Sequence, residues 1–172
     1  TISLDNYAIE AEDYNFDGGA FFDQPVPCNT PGGSEANCYF DRVSTQGIDA
    51  MDSIDDDRPT DEDADYLAFL DNGYRFGPSA FRDELVDTWA SGDTLRQKHL
   101  DAGEGILDYD LERVQSGEWF NYTRDLPVGT YQVLLRARGR ADQTLSLGSV
   151  SNPTQANQTV SELGTFVVGS TG

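Results

Sequence analysis

Gly117 to Arg138 reads GEWFNYTRDLPVGTYQVLLRAR. Trp119, Asn121 and Thr123 alternate with Phe120 and Tyr122. After a break, Tyr131, Val133 and Leu135 alternate with Gln132, Leu134 and Arg136. Aromatic and β-branched residues on a period of two predict strands, because successive side chains leave a strand on opposite faces. Pro127 fixes one backbone angle between the two runs and Gly129 frees another, as a turn requires. The stretch is predicted to be a β-hairpin.

Working outward, further strands are expected near residues 106–114, 142–149 and 159–168. Their spacing, with turns between, fits a sandwich better than alternating βαβ units. Upstream, residues 6–16, NYAIEAEDYNF, alternate apolar and acidic positions around Ile9 and Ala11. They predict a strand with one wet face, broken by Gly18 and Gly19. Phe21 and Phe22 start a second apolar patch that Pro25 and Pro27 end.

Residues 41–105 have weak periodicity and read as a long irregular insert. Asp49, Asp52, Asp55, Asp56, Asp57, Asp61, Glu62, Asp63 and Asp65 make its first part acidic. Residues 66–70 and 73–76 suit short strands. Ser79 to Trp89 suits a short helix, with Ser79 as cap and Phe81, Leu85 and Trp89 at helical spacing. A segment this long with so little regular structure is where function often sits.

The 172 residues suffice for one domain with a core, expected to span the whole chain. Eleven Lys and Arg face 31 Asp and Glu, a formal charge of −20. A solvated surface accounts for that charge, and so do calcium sites or a salty milieu. Nucleic acid and anionic membranes would be repelled. No apolar run is long enough to span a bilayer, and Thr1 reads as a processed start. Cys28 and Cys38 flank the turn-rich NTPGGSEAN and are expected to form one disulfide, hence an exported protein; two free thiols are the alternative. His99 is too isolated to complete a zinc site.

Ile9-Glu10-Ala11-Glu12-Asp13-Tyr14, followed by Gly117-Glu118-Trp119-Phe120-Asn121-Tyr122 and by Pro127-Val128-Gly129-Thr130-Tyr131, resembles the family 6 carbohydrate-binding modules and their family 35 relatives. The likeness covers the first strand and roughly residues 106–168. It implies an all-β jelly-roll sandwich of two antiparallel sheets, attached to secreted proteins that degrade plant or algal polysaccharide. It also implies a structural calcium held by Glu10 and Glu12. Strand geometry agrees, since residues i and i+2 share a face and a hard cation relieves their repulsion. Two solvated acids on an edge strand are the alternative.

The chain departs from the family pattern in two ways. The family's last strands and last calcium carboxylate have no counterpart before Gly172, so the sandwich is expected to be incomplete at that end. Arg113 stands where the family places a sugar-stacking aromatic.

A sugar platform therefore needs other rings. Flat aromatics beside hydrogen-bonding groups serve that chemistry. The candidates in irregular segments are Tyr74 with Arg75, Trp89, Tyr39, Tyr109 and Phe22; Arg75 suits an acidic or sulfated group. Trp119, Phe120 and Tyr122 read as sheet packing. Asp61, Asp63 and Asp65 are spaced as in calcium loops, but Tyr66 and Asn72 break the EF-hand pattern. Asn121 and Asn157 begin glycosylation acceptor triplets.

No local pattern singles out a catalytic pair among the carboxylates. The expectation is a non-catalytic, calcium-stabilised polysaccharide-binding module. The alternative is a structural or adhesive surface subunit whose sheet a neighbouring segment or identical subunit completes.

Overall fold

The computed structural model describes residues 7–26, 37–40, 42–51, 88–91, 108–111 and 114–171. Its strands are β1 (Ala50–Met51), β2 (Thr88–Ser91), β3 (Asp108–Leu111), β4 (Trp119–Phe120), β5 (Gln143–Ser151) and β6 (Thr159–Val168). There is no helix among the described residues. The protein is all-β to that extent, and each strand has one antiparallel partner: β1 with β4, β2 with β3, β5 with β6.

The chain divides into two compact units, Thr1–Asp125 and Leu126–Gly172. In the first, Ala50 pairs with Phe120 and Met51 with Trp119. Two small cores hold this unit. Phe16, Cys38, Tyr39, Phe40 and Tyr109 form one, with Ala20 and Phe22 packed against it. Tyr14 and Ala50 form the other, with Leu111 and Phe120. Phe16, Phe22 and Tyr39 meet at centroid distances of 5.0 to 5.6 Å, and Tyr39 is edge-on to both partners. Edge-to-face contact sets the positive rim of one ring against the negative face of another.

The second unit is a long hairpin. Gln143 pairs with Val168 and Ser151 with Thr159, with a bulge between Leu147 and Gly148. Thr171 donates to the Gly139 carbonyl at 3.0 Å, and Ser170 donates to Asp142 Oδ1 at 2.9 Å. These bonds fasten residues 139–142 to the end of β6.

The strands expected near 106–114, 142–149 and 159–168 correspond to β3, β5 and β6. Three other expectations differ. Residues 7–16 form no strand. Asp13 donates to the Glu10 carbonyl at 3.1 Å, closing a turn, and Phe16 bridges to Ala20. Ala8, Ile9 and Ala11 are exposed, whereas Glu12, Asp13, Tyr14, Asn15 and Phe16 are buried in succession, so the two faces do not alternate as a strand's would. Asp17, Gly18 and Gly19 all have positive φ (48°, 78° and 110°), which reverses the chain at once.

The hairpin of residues 117–138 is also replaced. Only Trp119 and Phe120 are in a strand, and residues 121–138 carry none. Residues 121–124 spend their hydrogen bonds on residues 11–15, 39 and 48–49 instead of on 129–138. Finally, Thr88 and Trp89, read as the end of a helix, lie in β2. The short strands at 66–70 and 73–76 fall outside the described residues.

Candidate functional site

Residues 11–15 and 121–124 are about 110 positions apart in the chain and knot together through hydrogen bonds, most of them partly buried. Asn15 donates its backbone N–H to the Asn121 carbonyl at 2.8 Å. Its side chain reads Thr123 twice: Nδ2 donates to Thr123 Oγ1 at 2.9 Å, and Oδ1 accepts the Thr123 N–H at 2.9 Å. Tyr122 donates its hydroxyl to the Ala11 carbonyl at 2.6 Å, and Arg124 donates to the Asp13 carbonyl at 3.0 Å. Buried polar groups demand partners, so such a knot fixes one arrangement of the two segments.

A third strip joins at Asp49. Asn121 donates its N–H to the Asp49 carbonyl at 2.8 Å and its Nδ2 to the Ile48 carbonyl at 2.7 Å. Asp49 Oδ2 accepts the N–H of Gly18 at 2.7 Å and of Thr45 at 2.9 Å. Asp49 is 0% exposed, and its Oδ1 is enclosed without a hydrogen-bond donor. Sequence reasoning counted Asp49 as the first residue of a solvated acidic stretch. The overlooked signal is its setting in Gly47-Ile48-Asp49-Ala50, two apolar residues around one acid after a turn glycine.

Glu10 and Glu12 sit at the turn beside this knot. Glu12 is buried and Glu10 half-buried. They do not share a strand face, since the segment is not a strand. Among the described residues no group of three or more His, Cys, Asp or Glu gathers as a metal cluster. Glu12 and Asp49 are both enclosed carboxylates, at 1% and 0% exposure.

Tyr39 and Tyr109, expected as ligand platforms, are core residues at 1% and 2% exposure. The Tyr39 hydroxyl accepts from the Phe22 N–H at 2.7 Å and from Arg124 at 3.2 Å. Burial raises its pKa above the ordinary 10.0, and the nearby Arg124 charge opposes that shift. Arg42 lies over Phe16 and Phe22, 5.4 and 5.5 Å from the ring centroids. Phe22 is thus half-buried and spoken for. Trp89 pairs with Asp110 through the β2–β3 ladder. Tyr74 and Arg75 lie outside the described residues.

Cys38 is buried, its Sγ accepts the Phe40 N–H at 3.3 Å, and no free cysteine occurs among the described residues. Cys28 lies outside them. Asn121 is enclosed with its amide engaged, which leaves no room for a glycan in the folded unit, whereas Asn157 is exposed in the turn between β5 and β6. In the second unit a groove of about 430 Å³ is lined by Leu135, Ala137 and residues 166–171, without a charged side chain.

Comparisons with protein-family models, with curated proteins and with solved structures each returned no match.

Proposed function

We propose that this chain is a non-catalytic polysaccharide-binding module of a secreted protein, built on a jelly-roll sandwich. One observation carries the reading. Two of the three motifs that resemble carbohydrate-binding modules, residues 9–14 and 117–122, meet: Tyr122 donates to the Ala11 carbonyl and the Tyr14 and Phe120 rings lie 5.3 Å apart, with Asn15 and Thr123 bonded just beyond them. Motifs that belong to one scaffold should meet in space, and unrelated chance matches have no reason to. A Cys28–Cys38 disulfide would fit export, and Cys38 is buried and not a free thiol.

Calcium belongs to the same proposal. Glu10 and Glu12 would hold it, as the family resemblance implies, through the oxygen donors a hard cation prefers. The ligand is a plant or algal polysaccharide, and Tyr74, Arg75 and Trp89 remain its candidate contacts. A glycan array bearing such polymers tests this. Retention of at least one polymer is expected; a blank array refutes the reading.

A second reading is favoured by a separate observation. In the Leu126–Gly172 unit Leu134, Leu163 and Val167 are exposed, and no hydrophobic side chain of its described residues is buried. A structural or adhesive subunit whose hairpin joins a neighbouring segment or identical copy would have this surface. Sedimentation that stays monomeric at high concentration contradicts it.

A further inference from the structure

We infer that Tyr131 is a stacking platform for neutral pyranose chains. The inference rests on the carbohydrate reading above and names a contact for it. Tyr131 and Tyr122 are the exposed tyrosines among the described residues, and Tyr131 is the more open, at 45%. Its ring is already positioned. The hydroxyl donates to the Pro127 carbonyl within the same turn. The far edge of the ring lies over Gly129, where an added Cβ would sit 3.8 Å from Cε2. A pinned ring loses little rotamer freedom when a ligand arrives, so more of the contact energy appears as affinity.

The surroundings decide the class of sugar. Leu126 to Leu135 reads LPVGTYQVLL and holds no charged residue, in a chain where 24% are charged. An acidic sugar would find no cation within this segment. A pyranose with equatorial hydroxyls presents a flat C–H face, which suits an uncharged ring. Thr130 and Gln132, both exposed, flank Tyr131 with hydrogen-bonding groups.

The test is solution NMR of the full chain with isotope-labelled tyrosine, titrated with cellohexaose, xylohexaose and mannohexaose. Tyr131→Phe assigns the ring signal. The expected result is a Tyr131 shift with at least one sugar while the buried Tyr39 stays still. Tyr131→Ala should weaken that binding about tenfold. Tyr131→Leu keeps an apolar side chain without a flat ring and should weaken it similarly, with β5–β6 amide signals unchanged. A chain that binds one of these sugars with Tyr131 unmoved and Tyr131→Leu unaffected overturns the inference and leaves the module reading standing. Binding confined to sulfated or uronate polymers overturns it too. So does a Tyr131 signal that answers only to protein concentration, which would mark a contact between copies. A chain that binds no polysaccharide overturns both.

Discussion

Asn15 shows how much one buried amide can decide. It is 0% exposed and joins the Thr123 backbone and hydroxyl in a paired arrangement. Asn15→Ala removes two hydrogen bonds and strands the Thr123 N–H, and should cost about 2–3 kcal/mol of stability by urea unfolding. An unchanged midpoint contradicts the knot. Tyr39 makes a prediction with a definite sign. Burial raises its folded pKa above the ordinary 10.0, so the unfolded chain ionises first as pH rises. Its contribution to stability is complete below that value and is lost as pH climbs through the folded pKa. Urea unfolding from about pH 8 to about pH 11 should show this loss, reduced in Tyr39→Phe. Tyr7 shifts the same way through its own burial, so the comparison with the Phe variant isolates Tyr39.

At the scale of elements, local pattern and tertiary demand compete. Strands near 142–149 and 159–168 were legible from their spacing with a turn between, and β5 and β6 lie there. Residues 7–16 and 121–138 carry equally good alternation and form no such strands. For the first, period two was read as one wet face, yet five successive residues are enclosed. For the second, Asn121, Thr123 and Arg124 found better partners far along the chain than across the turn. A one-dimensional pattern cannot register a partner 108 positions away. The burial of Tyr39 and Tyr109 was hidden for the same reason, since an aromatic in an irregular segment reads identically whether it faces solvent or core. Gly139 tests the fastening of the second unit. An added Cβ would stand 2.7 Å from the Ala141 carbonyl oxygen, so that backbone must shift. Gly139→Ala should cost about 1–3 kcal/mol and speed exchange of the Thr171 amide, which bonds to the Gly139 carbonyl. Unaltered exchange contradicts the fastening.

Across the described residues, the all-β class was readable in the sequence, and the placement of buried charge was not. Thirty-one acids look alike in a list; only folding shows that Glu12, Asp13 and Asp49 are enclosed in the first unit. If calcium meets such enclosed carboxylates, it binds the folded state alone. Calcium at about a hundred times its dissociation constant adds about 2.7 kcal/mol, and chelation should then lower the Tm by about 5–10 °C. A Tm indifferent to chelator removes calcium from the proposal. The proposed role itself is polysaccharide binding, and native electrophoresis of the intact chain through gels cast with single polysaccharides tests it most directly. The account predicts retarded migration in at least one plant or algal polymer, restored by competing soluble fragments. Unretarded migration in every polymer, with the chain folded, contradicts it.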